Sequence, residues 1–184
     1  SSGGALTAGH GDRRQTAVIN IDIRGFSKLA ADREPSEVMQ LLSAYQGRIV
    51  PILQDNNAII DKFMGDGIMA TFGIDDADAP YCRHAIEAAE AVIADQRLWA
   101  NEEPLLTRGG LVKIGVGIAS GTVSFGAVGQ GDRLEMTVIG GPVNTSAKLE
   151  KHNNALGSEC IVLADTWSQA LREGYQGRFT PEFV

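Results

Sequence analysis

Residues 59–73, IIDKFMGDGIMATFG, constrain the fold more than any other stretch of the chain. Two apolar runs flank Gly65-Asp66-Gly67. Glycine adopts positive φ without steric cost and aspartate tolerates turns, so the stretch predicts two antiparallel strands joined by a tight turn. A lone hairpin is marginal in water and needs a larger sheet to join.

The remaining pattern supplies that sheet. TAVINIDI, residues 16–23, reads as a buried central strand through Val18, Ile19, Ile21 and Ile23. A break at Arg24-Gly25-Phe26 leads into a short helical turn. From Pro35 the apolar residues Val38, Leu41, Leu42, Tyr45, Ile49, Ile52 and Leu53 recur at helical spacing. Pro51 predicts a late kink. Beyond the hairpin, Asp75, Asp76 and Asp78 predict a helix N-terminus with Pro80 in the first turn. Ile86, Ala89, Ile93 and Leu98 would line that helix's buried side. LVKIGVGIASGTVSFGAVG reads as two strands turning near Ser120-Gly121, and LEMTVIG as another strand. GPVNTSAKLEKHN then reads as a helix, CIVLA as a short strand and DTWSQAL as a short helix. This order predicts an α+β fold, with helices packed on one face of a mainly antiparallel sheet.

The chain's 184 residues suit one domain with a substantial core. A net charge of -7 argues against a broad nucleic-acid footprint. Cys82 and Cys160 offer neither a disulfide framework nor a clustered zinc site, which points to a reducing compartment. No run of eighteen apolar residues is present to span a membrane. Residues 1–15 read as a flexible linker or tag remnant, which removes His10 from the site; the folded domain is expected over 16–184.

Two acids stand out. Asp22 lies near the end of the first strand and Asp66 in the hairpin turn. If those strands are neighbours, both carboxylates reach one sheet edge. They repel unless a proton or cation lies between them. Magnesium suits such a pair when phosphate supplies the remaining ligands, and two ions about 3.5–4 Å apart serve nucleotidyl chemistry. The alternative is a capped strand end and an ordinary turn.

Three blocks, NIDIRGFSKLA, IIDKFMGDGIMATFG and VGIASGTVSFGAVGQGDRLEMTVIGGPVNTSAKLE, together resemble the catalytic domain of class III nucleotidyl cyclases, the adenylate/guanylate cyclase family. The likeness spans about residues 15 to 170. It implies a ferredoxin-like or palm-like fold with a protruding β-hairpin arm, here the glycine-rich 109–131 region. It implies two Mg2+ or Mn2+ ions per site, held by Asp22, Asp66 and the Ile23 carbonyl. Lys62 and Thr137 match the base-contacting positions, Asn144 the ribose-positioning asparagine, and Phe26 the phenylalanine beside the first metal block. Lys148 stands where the family usually has its transition-state arginine.

The implied reaction turns ATP into 3',5'-cyclic AMP and pyrophosphate at the interface of a head-to-tail homodimer. One subunit would bring the aspartates, the other the base contacts, Asn144 and Lys148. Lys62 with Thr137 favours ATP, since guanylate-specific relatives typically carry glutamate and cysteine there. Lysine offers a mobile point charge where arginine offers a rigid fork, so reduced activity is expected. The alternative for Lys148 is a solvated helix residue, which its neighbours Glu150, Lys151 and His152 support.

Other readings remain: a catalytically weak nucleotide-binding signalling domain, a guanylate cyclase, or a cyclic-dinucleotide synthase of similar architecture. The family's further late lysine has no clear match near Arg178, which implies a domain cut short at its C-terminal edge. The resemblance also implies an upstream sensor or regulatory module and a cytoplasmic location, as part of a larger or membrane-attached protein.

Overall fold

The computed structural model describes residues 11–184, so His10 lies outside the described residues. The elements in order are β1 (Gly11–Ile23), α1 (Phe26–Ala31), α2 (Pro35–Asp55), β2 (Ile59–Met64), β3 (Gly67–Phe72), α3 (Tyr81–Gln96), α4 (Trp99–Glu102), β4 (Ile114–Gln130), β5 (Arg133–Ile139), α5 (Gly141–Leu156), β6 (Cys160–Val162) and α6 (Ala164–Arg172). The sheet runs β2-β3-β1-β4-β5 with antiparallel neighbours, and β6 adds parallel to β4.

The hairpin forms as its sequence requires. Met64 pairs with Gly67, and Gly65 takes φ 60° at the first turn position. α2 buries the stripe Leu41, Tyr45, Ile49 and Leu53, one residue per turn. The helix is continuous through Pro51, whose ring faces solvent. α2 and α3 pack with α6 on one sheet face, against Ile19, Ile21 and Ile23 of β1 and Ile114, Val116 and Ile118 of β4.

α5 occupies the opposite face. Side chains alternate along a strand, so the intervening residues Asn20, Asp22, Gly115 and Gly117 point that way. An added Cβ at Gly117 would lie 2.2 Å from the Ser146 carbonyl, and one at Gly115 would lie 2.7 Å from Glu150 Oε1. Glycine at these two positions lets the helix backbone lie directly on the strand.

Four local expectations need correction. β1 starts at Gly11 rather than Thr16, because residues 11–15 pair with residues 122–126 of β4. They are polar and mostly exposed, so they carry no apolar alternation to read. β4 is one 17-residue strand with no turn at Ser120-Gly121. The chain reverses at Gly131-Asp132, where Gln130 pairs with Arg133. α3 has no acid in its first turn, and Pro80 caps it from outside; Asp76 instead accepts from the Asp78 N–H in the preceding turn. Leu98 is 47% exposed because α3 ends at Gln96.

The arm consists of the outer halves of β4 and β5. Val123 and Val138 at its base are buried with Val18 and Met69, while Val128 and Leu134 nearer the tip are exposed. Among the described residues, no helix is long and apolar enough to cross a membrane.

Candidate active site

The two aspartates line one cleft. Asp66 Oδ2 accepts a hydrogen bond from the Ile23 backbone N–H at 2.9 Å, tying the β2–β3 turn to the end of β1 that carries Asp22. On the same face, Asn20 Nδ2 donates to Ser146 Oγ at 2.7 Å and anchors α5 over the strand. A cleft of about 270 Å³ opens between these elements, lined by Asn20, Asp22, Met64, Asp66, Glu150 and Lys151 among others.

Glu150 is the residue that sequence reasoning missed. Its charged neighbours suggest a solvated helix face, yet it is only 5% exposed. The spacing Ser146-Glu150-Asn153 puts three polar residues on one helix face, and all three are buried. That stripe could have identified Glu150 as inward-facing. Burial pushes its carboxyl up to about 9, helped by a hydrogen bond to Asp22 and by the charges of Asp22 and Asp66. Burial also raises Asp66, with Asp22 adding to the effect and the Ile23 N–H opposing it.

Asp22 and Asp66, with Glu150 beside them, offer oxygen ligands alone, a donor set that fits a hard divalent cation. Among the described residues, no three His, Cys, Asp or Glu side chains are disposed to hold an ion by themselves. An ion bound by the aspartates would therefore keep coordination positions for phosphate or water.

A second cluster forms where β2 meets β5. Lys62 Nζ donates to Thr137 Oγ1 at 3.3 Å, although the residues lie 75 apart in sequence. The curl of the arm brings them together: Thr137 neighbours Val138, which is buried against β1 and β3 residues. Asp61, a second residue that sequence reasoning missed, sits beside Lys62, with Oδ2 3.5 Å from Nζ. A register shift in the β2–β3 pairing between Ile60 and Lys62 places this acid. A bulge is invisible to period-two pattern reading.

Asn144 and Lys148 lie one turn apart on α5 and are both exposed. Neither lines the acidic cleft, and nor do Lys62 and Thr137. Phe26 begins α1 and packs against the main core. One chain thus assembles the aspartates in one place and the Lys62–Thr137 pair in another.

The chain matches the family model described as "Adenylate and Guanylate cyclase catalytic domain" over residues 10–180. It is 31% identical over 160 residues to an adenylate cyclase of Anabaena cylindrica, covering 85% of this chain and 31% of that protein. An uncharacterized Mycobacterium tuberculosis protein is 36% identical over 157 residues, covering 85% of this chain and 28% of that one. The chain therefore spans about a third of the length of these relatives. Among solved structures, the guanylyl cyclase Cya2 superposes with a TM-score of 0.78 at 26% identity, covering 87% of this chain and 80% of that one. The adenylyl cyclase CyaB from P. aeruginosa gives 0.78 at 25%, covering 89% and 83%.

Proposed function

The chain belongs to the adenylate and guanylate cyclase catalytic-domain family, and from that premise we propose that it converts ATP to 3',5'-cyclic AMP and pyrophosphate. The observation that carries the reading is the hydrogen bond from the Ile23 N–H to Asp66, which holds the turn carboxylate at the strand end bearing Asp22.

In this reading Asp22, Asp66 and the Ile23 carbonyl hold two Mg2+ or Mn2+ ions. Such ions, when bound, acidify the ribose 3'-hydroxyl and neutralise charge on the leaving pyrophosphate. The 3'-oxygen forms a bond to the α-phosphorus as the bond from that phosphorus to the bridging oxygen breaks. The side chains position and stabilise rather than form covalent bonds. Lys62 and Thr137 meet the base, Asn144 orients the ribose and Lys148 offsets charge on the phosphates. Phe26 stands beside the first metal block.

Asn144 and Lys148 point away from the cleft of their own chain, which supports a head-to-tail homodimer with composite sites. The Lys62–Thr137 contact supports ATP as substrate. A guanylate cyclase is the second reading, favoured by the likeness to Cya2. The greater length of the curated relatives supports an additional regulatory module in the whole protein.

The test is incubation of purified protein with ATP or GTP and Mg2+ or Mn2+, with products resolved by chromatography. Cyclic AMP formation that disappears in Asp22→Ala and Asp66→Ala supports the proposal. Unchanged turnover after loss of either aspartate would overturn it.

A further inference from the structure

Lys62 is held from two sides, and only one of them is Thr137. The β2 bulge presents Asp61 next to Lys62, although neighbouring strand residues ordinarily point to opposite faces. The Asp61 side chain is only 9% exposed, against 39% for Lys62. Its Oδ2 is closed off from solvent and accepts no hydrogen bond; among the described residues it is the only carboxylate oxygen in that condition. A buried carboxylate without partners is costly, and the cation facing it is Lys62, 3.5 Å away. Glu135 on β5 adds negative charge nearby, so the pocket favours keeping the ammonium in place.

We propose that Asp61 is a positioning residue that determines base preference by fixing the Lys62 ammonium against Thr137. The proposal rests on the cyclase reading above and extends its base-contact site. Because Asp61 Oδ2 is inaccessible, it acts through Lys62 rather than by touching nucleotide.

Hydrogen-bond chemistry gives the consequence. Lysine only donates. The Watson–Crick edge of adenine presents an acceptor at N1 beside the donating 6-amino group. The edge of guanine presents an N1–H donor beside the O6 acceptor. A fixed ammonium meets adenine N1, while Thr137 Oγ1, already accepting from Lys62, keeps a lone pair for the amino group. A mobile ammonium could swing to guanine O6 instead. Asp61 removes that freedom and thereby disfavours guanine.

The test uses 3'-deoxy-ATP and 3'-deoxy-GTP, which lack the attacking hydroxyl, with binding measured by calorimetry in the presence of Mn2+. Asp61→Asn is expected to weaken 3'-deoxy-ATP binding roughly tenfold while 3'-deoxy-GTP stays within about twofold. In turnover, KM for ATP should rise more than kcat falls. On a Lys62→Ala background, Asp61→Asn should change the ATP/GTP ratio no further, because the partner it positions is gone. Asp61→Glu, which keeps the charge, should restore part of the preference and serves if the Asn variant does not fold. Equal losses for both nucleotides, or full additivity with Lys62→Ala, would overturn the proposal, as would a wild type that binds both analogues equally. A wild type that binds 3'-deoxy-ATP selectively but forms no cyclic product would sink the catalytic reading alone.

Discussion

The Ile23 backbone N–H donates to Asp66 Oδ2 at 2.9 Å, so a turn side chain completes the hydrogen bonding of a strand end. This gives the two aspartates different structural weights. Asp66→Ala removes a partly buried hydrogen bond and should cost about 1 kcal/mol, or roughly 2–4 °C in Tm. Asp22→Ala breaks no bond to the backbone and removes only the contact with the proton-bearing Glu150 carboxyl. Both variants should lose cyclase activity by at least about a hundredfold, with loss of Mn2+ binding by calorimetry. An Asp22→Ala protein that binds Mn2+ like the wild type would refute the pairing.

Glu150 gives the metal-free protein a pH dependence of definite sign. Its carboxyl rises from 4.5 to about 9 on folding. Below 4.5 both states are protonated, and this group adds no slope. Between these values the native state keeps a proton that the unfolded chain has released, so stability falls as pH rises through the window. Glu150→Gln cannot ionise and should flatten the fall. Thermal melts in chelator at several pH values check this; parallel curves for the two proteins would contradict it.

The seat of α5 depends on absent side chains. A Cβ at Gly117 would come within 2.2 Å of the Ser146 carbonyl and 2.4 Å of the Glu150 nitrogen, both main-chain atoms that cannot rotate away. Gly117→Ala should therefore cost about 1–3 kcal/mol or more and lower activity by shifting Asn144 and Lys148. Gly47 in α2 has no atom within 4 Å of the corresponding position. Gly47→Ala should instead stabilise by up to about 1 kcal/mol. Comparative melts of the two alanine variants test the contrast.

Legibility followed the range of the interactions. The hairpin and α2 rest on local periodicity and turn chemistry, so they could be read directly, whereas the spacing of Asp22 and Asp66 leaves a capped strand end and an ordinary turn open until the family resemblance is added. Residues 11–15 could not, because they join β1 through pairing with β4 while facing solvent. The continuous β4 was hidden by glycines that serve close approach by α5 as well as turns. Glu150 leaves a helical-spacing trace with Ser146 and Asn153, but a polar stripe reads as solvated until the sheet buries it, while Asp61 owes its place to a bulge that leaves no periodic trace. Lys62 and Thr137 are linked in the sequence only by family resemblance, because they lie 75 residues apart on strands at opposite ends of the sheet order.

Lys148 supplies the sharpest catalytic prediction. It is exposed on α5, four residues after Asn144, and the family resemblance implies that it stands in for an arginine. An ammonium at this position contributes a point charge, whereas a guanidinium would grip two phosphate oxygens at once. Lys148→Arg should raise kcat about tenfold with little change in KM, because the added contact strengthens as charge develops on the phosphates. Lys148→Ala should lower kcat by about tenfold or more. Neither change should alter Tm appreciably, since an exposed helix residue contributes little to stability. Steady-state kinetics with ATP and Mn2+ measure both variants. Equal kcat for lysine, arginine and alanine would remove Lys148 from the reaction and return it to the solvated face of α5.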